Sequence, residues 1–128
     1  MKGEQFIAEV GDLAELDSNE DAKKAVRATL ETLKERLAGN EPSNLAAQLP
    51  PEIAPFVEGD GGREAFSVDE LYERVAQKEG TESEEAVKHA RAVATVLQTA
   101  VTEGALEEVR SQLGSDYEEL FGQTGSSA

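Results

Sequence analysis

The sequence predicts an all-α protein in which two tandem copies of a three-to-four-helix motif pack into one compact helical bundle. Apolar residues recur at steps of three and four, as on one face of a helix, in the long segments that begin near Ala22 and Ala86. The chain also aligns with itself at a displacement of about 64 residues. No segment shows sustained alternation of apolar and polar residues, so strands are not expected.

The internal repeat is carried mainly by the apolar register of the two halves. Residues 20–28 align with residues 84–92, and Gln48-Leu49 aligns with Gln112-Leu113. The other matches are Leu33 with Leu97, Leu37 with Val101, Leu45 with Val109, Phe56 with Leu120 and, with one residue inserted, Phe6-Ile7 and Val10 with Leu71-Tyr72 and Val75. Identities are few, but the register agrees along nearly the whole unit, which favours an internal duplication.

The repeat divides the chain into four segments that form one domain overall. Residues 1–57 are expected to be the first helical repeat and residues 67–121 the second. Between them, residues 58–66 form a Gly-rich acidic segment, which predicts a flexible linker. Residues 122–128 contain little that could be buried, which predicts a disordered tail.

Periodicity and capping residues place the helices. The expected helices are 4–14, 19–38, 42–48 and 51–57 in the first copy, and 68–79, 83–102, 105–113 and 116–121 in the second. Helix starts are expected at Asp17, at Pro42, and at the capping boxes Ser67…Glu70, Thr81…Glu84 and Ser115…Glu118. Gly80 stands where a left-handed residue would end a helix.

The long helices and the short helices that follow them are expected to supply the hydrophobic core. Small alanines near the start of each long helix would allow close approach, and larger residues would fill the wider space beyond. The predicted core residues are Val26, Leu30, Leu33, Leu37, Leu49, Val93, Leu97, Val101 and Leu113.

The chain is strongly acidic, with 27 acidic against 12 basic residues and a formal net charge of −15. Acidic residues occur throughout both halves, which favours adaptation to a salt-rich cytoplasm, where salt screens the repulsion between them. A basic partner and ordinary acidity are the alternatives. No segment resembles a membrane span or a signal peptide, so we expect a soluble cytoplasmic protein.

The residues that usually carry catalysis are scarce. The chain has no cysteine and one histidine, His89, which excludes thiolate chemistry and leaves no pair of imidazoles. Glu85 lies one turn before His89, but a transition-metal site usually requires more nitrogen or sulfur donors. His89 is therefore expected to be a solvated or packed helix residue. No catalytic residue, metal site or cofactor is predicted.

A pair of basic residues occurs at equivalent positions in the two long helices. Lys24 with Arg27, and Lys88 with Arg91, each lie on one helix face. If the halves pack around a pseudo-twofold axis, the two pairs would converge into an anion-binding site. The simpler interpretation is that these side chains stabilise helices through nearby carboxylates. Nucleic-acid binding is not expected, because an acidic chain repels phosphate.

Several of these motifs together resemble a known family. They are Phe6…Val10, the segment 45–50 with the sequence Leu-Ala-Ala-Gln-Leu-Pro, the segments 66–71 and 89–93, and the closing Tyr117…Leu120-Phe121. In this combination the chain resembles the prokaryotic domain of unknown function 2267. The resemblance implies an all-helical fold without an established activity, and the acidity suggests a haloarchaeal member.

Two functions remain open at this point. The first is a non-enzymatic helical module that binds a protein partner or self-associates, and it would need an exposed apolar patch. The alternative is a small-molecule- or anion-binding protein, or an enzyme, that uses a pocket between the repeats and has Arg27 or Arg91 in its lining.

Overall fold

The computed structural model describes residues 1–121, and these are helices joined by turns and loops. The α-helices are α1 (Gly3–Ala14), α2 (Asn19–Arg36), α3 (Glu41–Ala46), α4 (Val68–Glu79), α5 (Ser83–Ala100) and α6 (Glu103–Gln112). Two short 3-10 helices, Ala54–Phe56 and Ser115–Tyr117, follow α3 and α6. Within residues 1–121 there is no β-strand, so the prediction of an all-α fold is confirmed. The predicted tail, residues 122–128, lies outside the described residues.

The four longest helices form the body of the molecule. The long helices α2 and α5 pack against each other, and α1 and α4 each pack against both of them. The short helices α3 and α6 contact one another beside this bundle. Each half therefore contributes elements of matching length in the same order: a helix of 12 residues, a helix of 18 residues and a shorter helix.

The core lies between these helices and is aliphatic. Leu30, Leu33 and Leu97 have no exposed surface, because they face inward from the centres of the two long helices. The other positions expected in the core, Val26, Leu37, Leu49, Val93, Val101 and Leu113, are also buried. Alanines near the helix starts, such as Ala22 and Ala86, are equally buried and allow the long helices to approach closely.

The helix ends differ in detail from those expected. Ser67 caps α4 by accepting a hydrogen bond from the Glu70 amide, as its capping box predicts. At α2 the capping side chain is Ser18 rather than Asp17, because the helix begins at Asn19. Thr81 does not cap α5, since Glu82 occupies the N-cap position and makes no side-chain capping bond.

The short elements after α3 and α6 are also tighter than expected. The predicted helix 51–57 is a turn with a single 3-10 segment, because Pro50 and Pro51 interrupt the regular hydrogen-bond pattern. The predicted helix 116–121 begins as a 3-10 segment and is α-helical over residues 118–121.

The Gly-rich segment between the halves is fixed against the end of α2. The backbone amides of residues 61–64 donate four hydrogen bonds, of 3.0 to 3.1 Å, to carbonyl groups of residues 34–39. A Cβ atom at Gly61 would overlap the carbonyl oxygen of Leu37, so glycine allows this close approach. The segment thus differs from a free flexible linker, because the exposed carbonyl groups at the end of α2 accept its amides.

Two glutamine side chains join the halves in a reciprocal way. Gln112 accepts a hydrogen bond of 2.9 Å from the amide of Ala38, just after α2. Gln48 accepts one of 2.8 Å from the amide of Thr102, just after α5. Gln48 follows the short helix α3, and Gln112 is the last residue of the short helix α6. The region of each short helix therefore binds the end of the long helix in the opposite half.

Candidate functional site

The two Lys–Arg pairs lie in two different grooves. Lys24 and Arg27 line a groove of about 310 Å³, which α4 completes with Lys78. Lys88 and Arg91 line a groove of about 330 Å³, which α1 completes with Leu13. The structure does not bring the two pairs together into one anion site, because each long helix presents its pair to a different neighbouring helix.

Carboxylates already neutralise both arginines. Arg27 forms an exposed ion pair of 3.0 Å with Glu31, one turn further along α2. Arg91 contacts Glu119 at 3.0 Å. Glu119 also accepts a hydrogen bond of 2.9 Å from the hydroxyl of Tyr72. Each guanidinium group is thus already paired with a carboxylate, although the buried Nε of Arg91 forms no hydrogen bond within residues 1–121. The existing ion pairs weaken the case for both grooves as anion sites.

In the cluster around Arg91, the pKa of Arg91 and the pKa of Tyr72 are both raised. Burial alone would lower the pKa of Arg91, but hydrogen bonds with Tyr72 and Glu119 raise it above its ordinary value. Burial, together with the bond to Glu119, raises the pKa of Tyr72 to about 12. Arg91 therefore stays charged and Tyr72 stays neutral near neutral pH, as expected for a structural link between α5, α4 and Glu119.

A second ionic cluster joins α2 to α4. Glu35 accepts hydrogen bonds of 3.0 Å from Arg74 and 2.9 Å from Lys78. Burial alone would raise the pKa of Glu35, but the bonds from Lys78 and Arg74 lower it instead. Arg74 also lies 4.0 Å from the centre of the Phe66 ring. The cluster consists of mutually satisfied charges, so it fixes helices and leaves nothing for a ligand.

The single histidine is buried against a glutamate. His89 Nδ1 lies 2.6 Å from Glu79 Oε1, and the two side chains are 7% and 5% exposed. A carboxylate accepts hydrogen bonds, so Nδ1 donates to Glu79, and in the tautomer protonated at Nδ1 alone Nε2 is an acceptor. The expectation that His89 is a solvated or packed helix residue did not anticipate this partner, Glu79.

Two atoms of the pair have no partner among the described residues. Glu79 Oε2 and His89 Nε2 are both buried, and neither forms a hydrogen bond within residues 1–121. The carboxylate of Glu85 is 3.8 Å from His89 Nε2, beyond hydrogen-bond distance. A buried polar atom without a partner costs free energy, so such atoms often mark the place of a ligand or an ordered water molecule.

The two side chains line a groove between the two halves. The groove has a volume of about 240 Å³, and Glu79 and His89 form its buried wall. Its other lining residues are Leu16, Asp21, Lys24, Thr81 and Glu85. The first half thus contributes the α1–α2 turn and the start of α2, and the second half contributes the α4–α5 turn and the start of α5.

The local sequence explains how the pair is assembled. Glu79 is the last residue of α4, and Gly80 ends that helix in the left-handed conformation with φ of 70°. The turn that follows is short, so α5 folds back beside α4 and places His89 against Glu79. Gly80 was the only signal of this arrangement in the sequence, since it identifies the turn but not the facing residues.

Residues 1–121 show neither a metal-binding cluster nor a membrane-spanning helix. Among residues 1–121, no group of three or more His, Cys, Asp or Glu side chains is arranged to hold a metal ion. None of the helices in that range is long and apolar enough to cross a membrane. The Glu79–His89 groove is therefore the candidate site with the clearest unfilled chemistry.

Comparison with known families finds a family model that spans most of the chain. A family model described as "Uncharacterized conserved protein (DUF2267)" matches residues 3–120. The chain belongs to this family. None of the curated proteins matches the chain. The DUF2267 description names no activity, so the function must be argued from the groove itself.

Proposed function

We propose that this DUF2267 protein binds a small molecule in the groove between its two halves. The observation that carries the proposal is the buried Glu79–His89 pair, which lines the groove and whose Oε2 and Nε2 atoms have no partner among residues 1–121. A ligand in the groove would supply the missing hydrogen bonds and remove the cost of leaving both atoms unpaired.

The proposed internal duplication supports the location. The reciprocal bonds of Gln48 and Gln112, and the packing of α1 and α4 against both long helices, are what two equivalent halves would form around a pseudo-twofold axis. Asp21 and Glu85 occupy aligned positions and both line the groove, as expected if the groove lies near such an axis. Interfaces between repeated units are common places for ligand sites.

The pair itself breaks the proposed symmetry. The positions aligned with Glu79 and His89 are Ala14 and Ala25, which are buried alanines. The first half therefore packs the same region with methyl groups, and the fold does not require a charged pair there. A buried acid and imidazole that the packing does not need support a functional role.

The protein-interaction module stays a prediction with less support. Among residues 1–121, the large hydrophobic side chains that are well exposed are Met1 and Leu13. Two separate side chains do not form the continuous apolar patch that a protein partner would cover. Sedimentation at high salt tests this alternative, and a stable dimer or larger assembly would restore it.

The surroundings we propose are those of a salt-rich, haloarchaeal cytoplasm. The net charge of −15 supports this setting, because dissolved salt screens the repulsion between so many carboxylates. Binding experiments should accordingly be carried out in about 1 M KCl, where the Debye length is about 3 Å.

The test of ligand binding uses the single histidine as a probe. With ¹⁵N-labelled histidine, the ring resonances of His89 report on the groove without any assignment problem. We expect at least one compound in a mixed small-molecule library to shift these resonances saturably and to raise the thermal midpoint. If no compound does so, the proposal is wrong.

A matched variant locates the effect in the groove. The double variant Glu79→Ala/His89→Ala carries the residue types of the first half and should lose the thermal stabilisation by the same compound. Glu73→Gln removes an exposed charge from the same helix, α4, and should respond like the wild type. Equal stabilisation of the double variant would show that the compound binds elsewhere.

A further inference from the structure

The two unpartnered atoms, Glu79 Oε2 and His89 Nε2, can both accept hydrogen bonds. Glu79 Oε2 belongs to a carboxylate, which accepts hydrogen bonds, and His89 Nε2 is an acceptor when Nδ1 shares its proton with Glu79. A ligand that satisfies both atoms in this tautomer supplies donors. A carboxylate or phosphate group would instead bring two more acceptors against them.

The charges around the groove favour a cation. Three carboxylates line it, those of Asp21, Glu79 and Glu85, against the single ammonium group of Lys24 in the same lining. The starts of α2 and α5 would ordinarily attract an anion, but their first turns already contain acidic residues. The field at the groove is thus negative, and this sign matches that of the whole chain.

Resting on the proposed function, we infer that the ligand is a small organic amine whose protonated ammonium group binds between Glu79 and His89. An ammonium group has three donors. A small shift of the lining side chains, which bury both atoms, would let two of them bond to Glu79 Oε2 and His89 Nε2. The third would be within reach of Glu85, whose carboxylate is 3.8 Å from Nε2. Leu16 offers an apolar contact for the carbon chain of the amine.

A metal ion is the less suitable occupant. Divalent metal ions require several oxygen or nitrogen ligands in a defined coordination geometry. No such group of three is found in the part of the chain that the structure describes. An alkylammonium group needs only directed acceptors and a negative field, and the groove provides both.

The experiment compares three probes of similar size in about 1 M KCl, where non-specific attraction to the acidic surface is screened. n-Butylammonium carries charge and N–H donors, tetramethylammonium carries charge without donors, and 1-butanol carries a donor without charge. We expect n-butylammonium to shift the His89 ring resonances saturably and the other two probes to bind at least about tenfold more weakly, as the loss of a charged hydrogen bond implies.

Substitutions then assign the contact. Glu79→Gln removes the charge at nearly constant shape and should weaken n-butylammonium binding about tenfold or more. Glu73→Gln, with the same charge change at an exposed site of α4, should leave the affinity unchanged. If Glu79→Gln fails to fold, Glu85→Gln provides the measurement, because this half-exposed residue is not part of the core and should weaken binding severalfold.

The outcomes separate this inference from the proposed function. Equal binding of tetramethylammonium and n-butylammonium, or unchanged affinity in the Glu79 and Glu85 variants, overturns the ammonium assignment. If the His89 resonances respond to 1-butanol or to inorganic phosphate and not to n-butylammonium, the groove remains a ligand site and the amine is wrong. No response to any compound overturns both proposals.

Discussion

The two halves differ sharply in chemistry at Glu79 and His89. At the aligned positions the first half has Ala14 and Ala25, which are also buried. The imidazole and the carboxylate are 2.6 Å apart, so each shields the other from the cost of burial without a partner. The stability of one residue therefore depends on the presence of the other.

A double-mutant cycle measures this dependence. His89→Ala leaves the Glu79 carboxylate buried and alone, so we expect it to lower the free energy of unfolding by about 3–5 kcal/mol. Glu79→Ala/His89→Ala should cost clearly less than the sum of the two single changes, because it removes the stranded group as well. Urea unfolding in molar KCl gives these values. Additive single effects would mean that the pair is not coupled.

Core leucines provide a second test at the scale of single residues. Leu33 and Leu97 have no exposed surface, so Leu33→Ala and Leu97→Ala should each cost about 2–5 kcal/mol of unfolding free energy. Leu13 is 52% exposed, and Leu13→Ala is the control, with an expected change of at most about 0.5 kcal/mol. A small effect at either core site would indicate that its helix is packed differently.

At the scale of secondary-structure elements, the first and fourth helices end in the same way with different residues. Both α1 and α4 end in a left-handed residue, which is Glu15 with φ of 59° in α1 and Gly80 with φ of 70° in α4. Only glycine adopts this conformation without steric cost. Glu15 also places a negative charge at a helix C-terminus, where the helix dipole disfavours it.

Substitutions at the two left-handed residues should therefore have opposite effects on the free energy of unfolding. Glu15→Gly should raise the free energy of unfolding by about 0.5–1 kcal/mol, because it removes the left-handed strain. Gly80→Ala should lower it by about 1–2 kcal/mol for the same reason. Thermal unfolding of the two variants measures both changes. A Glu15→Gly variant less stable than the wild type would show that the 3.9 Å contact of Glu15 with Lys88 outweighs the strain.

Gln48, just after α3, and Gln112, at the end of α6, join these short helices to the ends of the long helices. Gln48→Ala and Gln112→Ala each remove one acceptor from a backbone amide of the opposite half, so both should cost about 1 kcal/mol. Similar losses at the two sites are expected from equivalent halves. Gln77→Ala, at an exposed position of α4, is the matched control and should be nearly neutral. Strongly unequal losses would count against the duplication.

At the scale of the whole molecule, charge dominates the expected behaviour. A net charge of −15 on 128 residues repels itself in the compact state more than in the extended chain. Arg74 and Arg91, which are buried in part, are already paired with carboxylates. Much of the remaining repulsion can therefore be reduced only by dissolved ions.

Salt should consequently stabilise the fold. We expect the thermal midpoint to rise steadily between dilute buffer and molar KCl, because the screening length falls from tens of ångströms to about 3 Å. Scanning calorimetry at several KCl concentrations measures the midpoint, and a series in sucrose at matched water activity controls for general exclusion effects. A midpoint that stays constant or falls would contradict adaptation to a salt-rich cytoplasm.

The sequence by itself determined the helical class, most helix positions and the residues of the core. These follow from local rules: the step of three and four places Leu30 and Leu33 on one face, Ser67 begins α4, and Gly80 ends it. The aligned glutamines also appeared in the sequence, although nothing local indicated that they bond across the halves. Patterns of this kind are readable because each depends on residues within one or two helical turns.

Only the tertiary structure decided the candidate site. Glu79 and His89 meet because α5 folds back on α4 at a particular rotation, and that rotation depends on packing against all the neighbouring helices. The same rotation places the Lys24–Arg27 pair and the Lys88–Arg91 pair in two separate grooves. It likewise leaves the end of α2 open for residues 61–64 to bind. A repeated sequence pattern specifies which face of a helix is apolar, but the contacts of its polar face are set by the neighbours that the whole fold supplies.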